Sequence, residues 1–279
     1  MVVNYPNCRD SENAPKSQLM FFRYLQLHSI QILSIMNTKL NWRHIIFALL
    51  LTVLSLPSFA TWSIIVVDPK TKLIGIAGAS CTPSVYGIGA IMPGKGAIVV
   101  QANGNAFAKL TGFKMIMAGD KPAAILEKLR TPEFDPEHQQ YAIISMDDYS
   151  HPVTYTGTQA ISYASTLTGN GITVQGNMLT NPDEVQAIFD AAVKAQKDSL
   201  PIQDILLIAL EAGAKAGGDK RCGERKAASA FLTVSKPEDI DKHWLNLVIT
   251  DDGRTQAVEA LRRKYEDWKT KAKSNSNIP

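Results

Sequence analysis

The 279-residue chain has only three cysteines, too few for the disulfide frameworks that staple small secreted domains. No apolar run reaches the roughly twenty residues that a membrane-spanning helix needs. His138, His151 and His243 are widely separated and lack metal-ligand spacing, so they suggest no zinc site. A glycine-rich phosphate loop with its lysine is missing, and so is a G-x-S-x-G serine elbow. No metal and no cofactor are therefore expected. The charge excess is local too: of 29 Lys+Arg and 26 Asp+Glu, five and two respectively precede Thr61, which leaves 24 of each beyond it. A balanced domain without a basic stripe gives no electrostatic reason to expect nucleic acid or an anionic membrane surface as partner.

Hydrophobic residues make up 45% of the chain and charged residues 20%, the profile of a globular protein with a sizeable core. The front end differs from the rest. Residues 39–60 place Lys39 and Arg43 before the apolar stretch Ile45–Leu56, which is followed by Pro57-Ser58-Phe59-Ala60. A positive segment, a short apolar segment and a small-x-small site form the signature of a secretory signal peptide. The expected organisation is a non-translated or disordered leader over 1–35, a signal peptide over 36–60 starting at Met36, a domain over 61–272 and a disordered tail over 273–279. A membrane anchor or a buried helix is the alternative reading of the apolar stretch. Cleavage after Ala60 implies export, to a periplasm or outside the cell, and no membrane partner afterwards. Cys8 stays in the leader, while Cys81 and Cys222 enter an oxidising compartment; a disulfide between them is expected over two separate buried thiols.

Past Ala60, Thr61–Asp68 is a nearly continuous β-branched apolar run, the pattern of a strand covered on both faces. Pro69-Lys70-Thr71 supplies a turn, and Leu73–Ser80 returns as the second arm of a hairpin whose register brings Ser80 beside Thr61. Further strands are expected at 97–101, 140–146, 153–156, 171–177, 228–234 and 245–250. Helices are expected at 106–117, 120–130, 182–196, 202–216 and about 255–271, with Asn105 capping the first and Asn181 opening the third. Doubly covered strands interleaved with paired helices predict an α+β fold, a four-layer αββα sandwich of two mainly antiparallel sheets with helices outside each. An ordinary three-layer α/β fold is the rival, disfavoured by the opening hairpin.

A threonine hydroxyl becomes a nucleophile when a base takes its proton. A free α-amine on the same residue, with a pKa of roughly 7.7 to 8.0, is such a base. Cleavage after Ala60 creates that amine at Thr61. Thr61-Trp62-Ser63-Ile64, Gln175-Gly176-Asn177 and Gly217-Gly218-Asp219-Lys220-Arg221 resemble signatures of the family called domain of unknown function 1028. That family is assigned to the N-terminal-nucleophile hydrolases, with the four-layer fold of proteasome subunits and threonine asparaginases. The resemblance covers nearly all of the chain after Ala60 and implies that Thr61 matches the family's opening threonine. Cys81 and Cys222 depart from many members.

The remaining residues are candidates for a pocket around Thr61. Backbone N–H groups at Asn103-Gly104-Asn105 are oxyanion donors, against the plainer reading of a turn with a helix cap. Gln175 and Asn177 flank a glycine at a strand end, fitting a pocket wall or a simple turn. Asp219 and Arg221 sit in a glycine-rich loop, where Arg221 is a candidate to hold a substrate carboxylate and Asp219 to orient it or the Thr61 amine. A Cys81–Cys222 bond would bring that loop beside Ser80. The expected function is an exported N-terminal-threonine amidohydrolase acting on an amide or peptide-like bond. A catalytically silent secreted protein that binds a small ligand or cell-wall fragment is the alternative. The partners implied are a small-molecule or peptide-like substrate and, as an open question, further copies of the chain.

Overall fold

β1 (Thr61–Asp68) and β2 (Leu73–Ser80) form the expected antiparallel hairpin, in the register Thr61↔Ser80 through Asp68↔Leu73. Asp68 closes its turn by accepting from the Lys70 N–H at 2.9 Å and the Thr71 hydroxyl at 2.6 Å. The computed structural model describes residues 61–276; the expected leader, signal peptide and cleavage junction lie outside them.

Eight more strands follow among the described residues: β3 (Gly89–Met92), β4 (Gly96–Ala102), β5 (Gln139–Ser145), β6 (Val153–Thr156), β7 (Ser165–Gly169), β8 (Ile172–Asn177), β9 (Ser229–Ser235) and β10 (Leu245–Ile249). They build a six-stranded sheet, ordered β10-β9-β2-β1-β8-β7, and a four-stranded sheet, ordered β3-β4-β5-β6, with every pairing antiparallel. The helices are α1 (Ala106–Ala118), α2 (Pro122–Leu129), α3 (Glu184–Lys197), α4 (Ile202–Ala216) and α5 (Ala257–Ser276).

Three apolar layers define the stacking. The first, with Trp62, Ile64, Val66 and Leu206, lies between the six-stranded sheet and α3, α4 and α5. Ile65, Val67, Ile76, Val99 and Ile144 fill the space between the sheets. Ile98, Val100, Ile116, Ile125 and Ile143 lie between the four-stranded sheet and α1 and α2. Strands covered on both faces have apolar residues at odd and even positions alike. The architecture is the α+β, four-layer sandwich that the sequence predicts.

Some boundaries differ from expectation. β3 and β7 escape sequence reading because β3 is four residues opening on glycine and β7 is a polar, partly exposed edge strand without a buried alternation. Asn181 does not cap α3. Its Oδ1 accepts from the Asp183 N–H at 2.9 Å and its amide donates to the Ala216 carbonyl, tying the approach to α3 to the end of α4. α5 extends through Ser276, past the expected end at Lys271 and into the segment read as tail, because no glycine or proline interrupts it there.

α4 lies directly on β1. The Trp62 indole N–H donates to the Leu210 carbonyl at 3.3 Å, and a Cβ added at Gly213 would sit 2.5 Å from Trp62 Nε1. Gly213 is therefore a contact position, where the missing side chain makes room for a fully buried indole. Gly213→Ala should destabilise the protein by about 1–3 kcal/mol despite alanine's better helix propensity. Urea denaturation checks this, and an unchanged or raised midpoint would show that the indole has room to shift.

Candidate functional site

The space between the sheets changes character along the strands. On β1, alternate residues Thr61, Ser63, Ile65 and Val67 share one face, so the apolar layer at Ile65 and Val67 becomes polar at Ser63 and Thr61. The other strands do the same at the same end: Val99 is followed by Gln101 on β4, Ala142 is preceded by Gln140 on β5, and β8 carries Thr173, Gln175 and Asn177. All these polar side chains are buried.

They satisfy most of one another's hydrogen-bonding needs. Gln175 Nε2 donates to Ser63 Oγ and Ser63 Oγ donates to Gln101 Oε1, each at 2.6 Å. Gln101 Nε2 donates to Gln140 Oε1 at 2.9 Å and to the Thr61 carbonyl at 3.3 Å. Asn177 Nδ2 donates to Gln140 Oε1 at 3.1 Å, and Gln140 Nε2 donates to the Gly176 carbonyl at 2.9 Å. Gln175 Oε1 and Asn177 Oδ1 have no donor. Sequence reasoning found Gln175 and Asn177 but missed Gln101 and Gln140. The available signal was glutamine near the end of an otherwise apolar strand, single at Gln101 and doubled at Gln139-Gln140.

Thr61 stands at this polar end, 1% exposed, paired in register with Ser80 on one side and Asn177 on the other. It also lines a cavity of about 210 Å³, whose walls include Thr82, Val85, Ile88, Val100, Asn105 and Lys109. Ala102, also on the wall, has φ of 73°, a left-handed conformation that costs a non-glycine residue on the order of 1–3 kcal/mol.

The proposed oxyanion donors at Asn103 and Asn105 are not available. The Asn103 N–H donates to the His138 carbonyl and the Asn105 N–H to Gln139 Oε1, both at 3.1 Å. Asn105 Oδ1 accepts from the Ala108 N–H at 3.0 Å, so the segment is a turn with a helix cap. Loop closure from strand to helix uses these groups.

The glycine-rich loop reaches Ser80's end of β2. Cys81 and Cys222 form a disulfide, with Cα atoms 5.5 Å apart. Asp219 is wholly buried; its Oδ2 accepts from the Cys81 N–H at 2.6 Å and from Arg221 Nη2 at 2.8 Å, and its Oδ1 accepts from Arg221 Nε at 3.1 Å. Arg221 thus directs two donors of its fork at Asp219, a competitor for the substrate carboxylate envisaged from sequence. Through the Cys81 N–H, Asp219 anchors the loop to the end of β2.

Behind the loop, Glu184 is fully buried with neither carboxylate oxygen hydrogen-bonded. Burial pushes its carboxyl up to about 8, against the opposing pull of nearby backbone N–H groups and Lys226, and Asp219 adds to the rise. Among the described residues no cluster of His, Cys, Asp or Glu fits a metal, and no helix is long and apolar enough to cross a membrane.

A family model described as "Family of unknown function (DUF1028)" matches residues 61–261. The chain belongs to the DUF1028 family. A crystal structure of a Silicibacter pomeroyi protein matched to the DUF1028 model superposes with a TM-score of 0.64 at 23% identity, covering 75% of this chain and 85% of that one. At that identity the likeness establishes shared fold only. Among curated proteins none matches. The DUF1028 match begins at Thr61 and takes in every candidate residue around the cavity.

Two outcomes test this DUF1028 site. Cys222→Ala should lower the melting temperature by about 5–15 °C, since cross-links of this kind contribute about 2–4 kcal/mol, and should open the 217–226 loop to protease. For Glu184, the folded state keeps a proton that an ordinary glutamate releases near pH 4.5. Its contribution to stability is therefore fully present below that pH and is lost as pH rises to about 8. Denaturation midpoints measured from pH 5 to 8.5 should decline, and Glu184→Gln should flatten the decline.

Proposed function

We propose that this protein is an exported N-terminal-threonine amidohydrolase of the N-terminal-nucleophile class, activated by removal of a signal peptide between Ala60 and Thr61. The observation that carries the reading is the placement of Thr61. It is the first residue of a central, buried strand, at the polar end of the sandwich and on the wall of a cavity. A nucleophile needs such rigid placement, because misplacement of about an ångström costs orders of magnitude in rate.

In the proposed reaction the freed amine of Thr61 takes the proton of its own hydroxyl as Oγ1 attacks an amide carbonyl. The tetrahedral adduct collapses, the proton passes to the departing amine, and an acyl ester remains on Thr61. Water, deprotonated by the same amine, then attacks the ester and releases the carboxylic acid, restoring hydroxyl and amine. The buried hydrogen bonds among Gln101, Gln140 and Asn177 support the reading by fixing β8, beside Thr61, against the facing sheet.

A second reading rests on the engaged N–H groups of Asn103 and Asn105. Without that oxyanion pair, the same cavity serves a secreted protein that binds a small ligand without turning it over.

Mass spectrometry of the protein recovered after expression of the full chain should find Thr61 as the first residue. A terminus displaced by even one residue ends the mechanism. With Thr61 exposed, a threonine-directed β-lactone or epoxyketone should form an adduct that Thr61→Ala abolishes, and turnover of any amide substrate should fall at least about a thousandfold in that variant. Absence of a Thr61-dependent adduct across both electrophile classes favours the binding protein.

A further inference from the structure

Lys109 is the cation of the Thr61 cavity. It lies on the first turn of α1, is half-buried, and its ammonium donates to the Gly87 carbonyl across the cavity wall. Among the described residues it forms no ion pair, and neither Asp nor Glu lines the cavity. An ammonium has three donors, so a ligand can take those that Gly87 leaves. The N-terminal end of α1, at Asn105 and Ala106, lines the same space and adds the positive end of a 13-residue helix. Partial burial also lowers the Lys109 pKa. The other candidate cation near Thr61, Arg221, is forked onto Asp219.

The rest of the wall is largely aliphatic and aromatic, with Val85, Tyr86, Ile88 and Val100, and the volume of about 210 Å³ falls below the roughly 300–1,000 Å³ of sites for drug-sized ligands. An amino-acid-sized group fits such a space whole, while a peptide or polymer strand would place only one such group in it. We infer that the cavity is a subsite for a small carboxylate on an apolar body, with Lys109 as the residue that selects the negative charge. Resting on the amidohydrolase reading for the reacting carbonyl, the substrate class is then a small N-acyl amino acid or a similar carboxylate-bearing amide. Its carboxylate meets Lys109 while the amide carbonyl reaches Thr61, and hydrolysis adds one water to yield a carboxylic acid and an amine.

The test compares N-acetyl amino acids bearing aliphatic or aromatic side chains with the matching N-acetyl amino acid carboxamides, which are neutral. Calorimetric titration into the protein recovered from the full chain should show at least one carboxylate binding tenfold or more tighter than its carboxamide. Lys109→Met should erase the difference without lowering the melting temperature, Lys109→Arg should retain most of it, and Thr61→Ala should leave it intact. Failure of every carboxylate to bind, equal affinity within all pairs, or a preference that survives Lys109→Met overturns the inference. A Lys109-dependent preference without hydrolysis leaves the subsite standing while the amidohydrolase reading fails. Thr61-dependent hydrolysis without the preference does the opposite.

Discussion

Between the two sheets, the hydrogen bonds that link Gln175, Ser63, Gln101, Gln140 and Asn177 do at one end what Ile65, Val99 and Ile144 do elsewhere. Apolar contact tolerates small slides of one sheet over the other. A chain of buried amides does not, because a displaced donor leaves a buried acceptor unpaired at a cost of about 1–3 kcal/mol. The relative position of the sheets is therefore set most tightly where Thr61 stands, and the Gln101 bond to the Thr61 carbonyl extends that constraint to the backbone of the residue itself. Gln140 Oε1 accepts from two amides, so reversing Gln140 would turn donors against donors, and reversing Gln101 would set its oxygen against that of Gln140.

Much of this was legible along the chain. Strands covered on both faces announce themselves as continuous β-branched runs, and the layered fold follows from them together with the helical periodicities. The hairpin register that sets Ser80 against Thr61 could be counted from the turn. What escaped were contacts made by the four-stranded sheet across the interior. Gln101 and Gln140 look like ordinary strand-end residues until the second sheet is laid against the first, because inter-sheet stacking has no signature in local spacing. Within the Asn103-Gly104-Asn105 segment the reading erred the other way at both asparagines: their N–H groups suit an anion, but His138 and Gln139 reach them first.

The glycine-rich loop shows how covalent and electrostatic restraint combine. Asp219 binds the Cys81 N–H and the Arg221 side chain, and the disulfide joins Cys81 itself to Cys222, the residue after Arg221. Glu184 lies beneath that arrangement, where burial first and the like charge of Asp219 second disfavour its ionisation. Lys109, on the wall of the Thr61 cavity, forms no ion pair among the described residues.

The sheet order has a consequence in time. β2 follows β1 by a short turn, yet β1's other neighbour, β8, lies more than a hundred residues along the chain, since Thr61 pairs with Asn177. β2 in turn waits for β9, where Ser80 meets Ser229. Pairings across such separations are the slow ones in folding. The residues that come first in the described chain are thus completed among the last, and Thr61 acquires its surroundings only when nearly the whole domain has closed around it.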